Sequence, residues 1–154
     1  MKIIKQNIIN VERGIVAHGC NSQGVMGAGV AKAIRSKWPE AFQAYREACV
    51  AKNYSEELLG TCTIVRIMDY NNLYVANCIT QHHYGFDGKV YANSKAIKQS
   101  MREVFEFANM TYLPLYTVKI GCGLGGLAWD KDVKPIFEEL NIEYPFVNLF
   151  VCEL

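Results

Sequence analysis

The sequence predicts an α/β chain: a three-layer α/β/α domain around a mixed, mostly parallel central sheet. Three observations predict it. Apolar strand-like runs alternate with stretches of helical period along the whole chain. One pair of strand-like runs is separated only by a short turn, which reads as a hairpin. Two glycine-rich segments stand where strands hand over to helices. At 154 residues the chain is long enough for one full hydrophobic core, and it reads as a single domain over residues 1–154.

The elements follow in order. Met1–Gln6 reads as a first strand and Gly14–Ala17 as a second. A helix over Val30–Trp38 is followed by another from Pro39 to about Val50, since proline is tolerated in a first helical turn. Cys62–Met68 and Leu73–Ile79 are strands flanking the turn Asp69–Asn72. Thr80–Asn93 is polar and aromatic, with Gly85 and Gly88, and reads as a long loop. Ser94–Asn109 carries apolar residues at Ile97, Met101, Val104, Phe105 and Ala108, the spacing of one helix face. Leu113–Ile120 is a strand, Asp130–Leu140 a helix and Pro145–Cys152 the last strand.

Hydrophobic residues make up 51% of the chain, and 16 basic against 15 acidic residues leave a net charge of +1. That balance argues against general nucleic-acid or membrane-surface binding through a broad basic patch. No apolar run approaches the roughly 18–20 residues that span a bilayer. The six cysteines form no CxxC pair and no zinc-ribbon spacing, so reduced thiols and a cytoplasmic location are expected. The adjacent His82 and His83 point opposite ways in an extended segment and have no third ligand nearby, so no metal is expected.

The first glycine segment, from His18 to Ile34, places His18, Asn21, Ser22 and Gln23 at a strand end. Gly24, Gly27 and Gly29 come next, then a helix start near Val30. Glycines let backbone approach a ligand closely, and a helix N-terminus offers free N–H groups to an anion. The second, Gly121–Trp129, also lies between a strand and a helix. Ligands of α/β sheets sit at the carboxyl ends of strands, so the two loops are expected to line one cleft and clamp a diphosphate. The second loop matches GxGxxG at Gly121, Gly123 and Gly126. It follows a late strand, however, and no acidic residue stands in the ribose position, so a nicotinamide enzyme is not expected. Cys20 and Cys122 lack the arginine-ended phosphate loop of cysteine phosphatases and read as small loop residues.

Asn21-Ser22 with Gly27-Ala28-Gly29-Val30-Ala31, together with Ile120-Gly121-Cys122-Gly123-Leu124-Gly125-Gly126-Leu127, resemble the corresponding motifs of macrodomains. The resemblance runs along nearly the whole chain and implies ADP-ribose as ligand, with no cofactor. It implies that the first motif holds the distal ribose and one face of the diphosphate, and that the second is the phosphate loop. It also places Asn7 and Ile8 near the adenine. Within the family the chain is most similar to the ADP-ribose-1''-phosphate phosphatase type, through His18 and the stretch Asn77–Lys89. The resemblance implies His18 and Asn21 beside the terminal phosphate, with water as the nucleophile; a monomer is expected. Non-catalytic reading of ADP-ribose, and its removal from protein or DNA, are the alternatives. Members of the glycohydrolase type use a lysine and an aspartate where Gln81 and Gly125 stand here, a departure that counts against that chemistry.

Overall fold

The computed structural model describes residues 1–154. Its strands are β1 (Lys2–Lys5), β2 (Gly14–Asn21), β3 (Cys62–Arg66), β4 (Leu73–Gln81), β5 (Leu115–Thr117) and β6 (Leu149–Glu153). They form one sheet in the order β1-β6-β5-β2-β4-β3. Every neighbouring pair is parallel except β3–β4, the hairpin expected from the sequence. The helices are α1 (Gly29–Lys37), α2 (Pro39–Ala51), α3 (Ser94–Thr111) and α4 (Lys134–Glu143).

Side-chain alternation along the central strands sorts these helices onto two faces. Ile15 and Ala17 of β2 and Ala76 and Cys78 of β4 pack with Ile97, Met101, Val104 and Phe105 of α3 and with Phe137 and Leu140 of α4. The intervening Val16 and Val75 turn to the other face, against Ile34 of α1, Ala41 of α2 and Trp38 between those helices. Farther along, Cys20 and Ile79 meet Tyr45 and Cys49 of α2.

The Asn93 side chain accepts the Ala96 N–H at 2.9 Å and caps α3. That helix ends on Tyr112 in the left-handed conformation, at φ 58°. Asn93→Ala should lower stability by about 1 kcal/mol. Comparing urea unfolding midpoints checks this, and an unchanged midpoint would show that the cap contributes nothing.

Three boundaries differ from the sequence reading. β2 does not stop at Ala17 but pairs with β4 from Gly14 opposite Leu73 to Asn21 opposite Gln81. Its polar residues stay in the strand because neighbouring elements supply partners for them. β5 pairs only over Leu115–Thr117, and the chain beyond it leaves the sheet for the second glycine loop. The helix expected from Asp130 opens as a π-helical turn, Trp129–Val133, in which Asp132 Oδ2 accepts the Ala128 N–H at 2.8 Å.

Candidate functional site

The carboxyl ends of β2, β4 and β5 surround a cavity of about 370 Å³, within the range of small-molecule sites. Gly19, Cys20 and Asn21 line it from β2, Thr80 and Gln81 from β4, and Val118–Gly121 from the segment after β5. Both glycine loops reach it, through Gly27–Ala31 and through Gly121, Gly123, Leu124 and Gly125. Tyr84, Gly85 and Phe86 add a third, aromatic wall.

The chemistry of this cleft lies in its backbone. Ala28 is the N-cap of α1 and has no side chain able to accept the first N–H groups of the helix. The amides of Gly27, Ala28, Gly29, Val30 and Ala31 donate to no acceptor in the protein. The same holds for Gly121, Gly123, Leu124 and Gly125, whereas Cys122, Gly126 and Leu127 spend their amides on Lys119, Gly123 and Gly121 carbonyls. Two sets of free N–H groups therefore border one cavity, one of them at a helix N-terminus. Such groups bind a diphosphate without adding net charge.

The cavity walls are tied together by the 82–93 loop. Ser22 is fully buried, its Oγ 2.5 Å from His82 Nδ1 and 3.1 Å from the His82 carbonyl oxygen. Gln23 Nε2 donates to that same carbonyl at 3.0 Å. At the other end of the loop, the amides of Tyr91 and Ala92 donate to Gly125 O at 2.9 and 3.0 Å.

His18 is where the structure corrects the sequence reading. It does not end a strand beside the ligand: it lies inside β2, has no exposed surface and does not line the cavity. The alternation that sends Val16 and Cys20 toward α1 and α2 sends His18 there too. Its Nε2 is 2.6 Å from Asn77 Oδ1, and Asn77 Nδ2 donates to Ala41 O at 3.0 Å. Burial lowers the imidazole pKa to about 4, against a smaller upward pull from the Asn77 hydrogen bond. His18 is thus a buried, neutral group between β2, Asn77 and α2, with no surface on the cavity wall.

Asn21 does reach the cavity, but its side chain mainly closes the turn that follows β2. Oδ1 accepts the Gln23 N–H at 2.9 Å and Nδ2 donates to Val25 O at 2.9 Å, leaving one amide hydrogen for a ligand. Among the expected binding residues, Asn7, Ile8, Ser22, Cys122, Gly126 and Leu127 lie outside the cavity wall. Asn7 caps the single turn Ile8–Asn10, and Ile8 is in the core with Val16, Ile34 and Trp38. Leu127 packs on the α3–α4 core, and Gly126, at φ +85°, turns the loop against Val90.

Sequence reasoning passed over Val25, Thr80 and Val118 as lining residues. Thr80 and Val118 belong to runs read as loop and sheet, and only the carboxyl-end rule pointed to them. Cys20 carries no nucleophile: burial, and then the neighbouring Cys78 and Cys49, push its pKa well up and keep it a thiol. At Cys122 burial also raises the pKa.

The Macro domain family model matches residues 17–136, well over half of the chain. The chain belongs to the Macro domain family. This macrodomain is 25% identical over 142 residues to a Candida albicans protein named ADP-ribose 1''-phosphate phosphatase, with 89% of this chain and 86% of that protein covered. It is also 25% identical to a Thermus aquaticus protein named DNA ADP-ribosyl glycohydrolase, covering 92% of this chain but 38% of that longer protein. A crystal structure of a Bacteroides thetaiotaomicron protein superposes with a TM-score of 0.84 at 29% identity, covering 100% of this chain and 99% of that one. The macrodomain's two families of free amides thus sit on the layered architecture that its structural relatives share.

Proposed function

We propose that the cleft binds ADP-ribose bearing a terminal phosphate and hydrolyses that ester, converting ADP-ribose 1''-phosphate and water to ADP-ribose and inorganic phosphate. The observation that carries the reading is the pair of free amide sets, Gly27–Ala31 and Gly121 with Gly123–Gly125, bordering one cavity. A diphosphate spans two such donor sets, and backbone donors add no charge to a chain whose net charge is +1. The names of the yeast relatives support the phosphate ester as substrate.

The ionisable side chains lining the cavity are Cys20, Tyr84 and Lys119. None is a carboxylate or an imidazole, and Cys20 is held as a thiol. Water is therefore the nucleophile of this reading. Phosphoryl transfer proceeds through a loose transition state whose catalysis is mostly positioning and electrostatic stabilisation, which oriented N–H groups provide. Of the two protons of the attacking water, one stays on the phosphate product and the other ends on the released 1''-oxygen of ADP-ribose, as the bond between that oxygen and phosphorus breaks.

Removal of ADP-ribose from a macromolecule by a lysine–aspartate mechanism has less support. Gln81 and Gly125 both line the cavity, where that mechanism would need the charged pair. A Cβ at position 125 would stand 2.7 Å from the Gly121 carbonyl oxygen, so this loop has no room for an aspartate. Binding without turnover is the second reading, and it draws on the absence of a side-chain general base from the cavity wall.

Calorimetry with ADP-ribose and a phosphate-release assay with ADP-ribose 1''-phosphate separate these readings. Saturable binding with phosphate release by the purified protein is the expected result. Binding with no release at enzyme concentrations near that of substrate would leave the reader function in place of the phosphatase. No binding at all would remove both.

A further inference from the structure

The first glycine loop is held from below by a residue that is not part of the cavity. Tyr45, in the middle of α2, is fully buried and does not line the cleft. Its hydroxyl oxygen is 2.6 Å from the main-chain oxygen of Asn21 and 2.7 Å from Asn21 Oδ1, and it accepts the Val25 N–H at 3.1 Å. One phenol therefore grips both ends of the turn between β2 and the glycines. The Asn21 side chain closes the same turn from within, and Gly24 bends it at φ +76°.

Packing alone does not ask for this hydroxyl. The ring fills an apolar cluster with Cys20, Met26, Cys49, Leu58 and Ile79, which phenylalanine would fill as well. A buried hydroxyl is tolerated only when bonded, and this one spends both its donor and an acceptor lone pair on the loop. Burial pushes the phenol pKa far up, so the group stays protonated across the working range.

We infer that Tyr45 is a positioning residue for ligand phosphate: its hydroxyl sets the path of residues 21–25 and so aims the free amides of Gly27–Ala31. The inference rests on the proposal that the cleft binds ADP-ribose. Tyr45 touches no ligand atom and acts only through the loop.

The test compares Tyr45→Phe with Leu58→Val, a variant in the same apolar cluster that removes packing but no hydrogen bond. ADP-ribose affinity is measured by calorimetry, stability by urea unfolding, and loop order by amide hydrogen exchange of a peptide covering residues 21–29. Tyr45→Phe should weaken binding about tenfold, the effect of one well-made hydrogen bond, and speed exchange in that peptide. Leu58→Val should lose stability and keep its affinity and its exchange rate. Wild-type affinity in Tyr45→Phe would overturn the inference. So would loss of affinity in Leu58→Val in proportion to its loss of stability. If the wild type binds no ADP-ribose, the functional reading fails instead, and exchange alone decides: unchanged exchange in Tyr45→Phe then overturns the positioning role.

Discussion

Gly125→Val should weaken ADP-ribose binding at least about a hundredfold, equivalent to about 2.7 kcal/mol. A Cβ at this position would lie 2.7 Å from the Gly121 carbonyl oxygen, 2.9 Å from Gly121 Cα and 2.9 Å from Ala92 Cβ. Two of these neighbours are backbone, so no side-chain rotation relieves the clash and the loop must open. Opening it displaces the free amides of Gly121, Gly123 and Leu124, and it strains the hydrogen bonds from Tyr91 and Ala92 to Gly125 O. The loop is at the surface end of the sheet, so the fold itself should lose only about 1–3 kcal/mol. Calorimetry on a variant with native circular dichroism checks the prediction. Retained affinity would mean that this loop does not bind the phosphates.

His18 should make the fold acid-sensitive without serving the reaction. In the unfolded chain its imidazole titrates near 6.5, but in the folded chain only near 4, because burial disfavours the charged form. Between these values the unfolded state binds a proton that the folded state refuses. Stability from this group is therefore complete above about pH 6.5 and is lost as pH falls toward 4. The two values correspond to about 3 kcal/mol. His18→Gln cannot titrate, so its stability should fall less than wild type across that window, although its stability at pH 7 is itself lowered by disturbance of the Asn77 contact. Urea unfolding of both proteins at pH 7, 5.5 and 4 measures the difference in slope, and parallel slopes would sink the argument. In the phosphate-release assay at pH 7, folded His18→Gln should retain turnover, because the imidazole is outside the cavity.

The residues that were legible in sequence are those whose local pattern has one physical meaning. The helical spacing of Ile97, Met101, Val104, Phe105 and Ala108 buries that face of α3. The turn at Asp69–Asn72 forces the antiparallel β3–β4 pair. Gly27–Ala31 and Gly121–Gly125 were legible as ligand-facing because glycines at a strand-to-helix junction have few other uses, and all but Cys122 line the cavity. His18 was misread because polarity suggested a strand end. Pairing with β4 extended the strand past it, and only Asn77, distant in sequence, made the interior site tolerable for an imidazole. Asn7 and Ile8 were misplaced relative to this cavity for a related reason, since Ile8 is drawn into the core beneath α1.

By itself, the sequence determined the layered class, the order of elements and the two glycine loops, because periodicity and glycine placement act over a few neighbouring residues. The tertiary structure decided which polar groups meet. It gave the His18 imidazole to Asn77, the Tyr45 hydroxyl to Asn21 and Val25, and the Gly125 carbonyl to Tyr91 and Ala92. Each of these contacts joins segments far enough apart that register and layer packing, rather than local propensity, bring the partners within hydrogen-bonding distance.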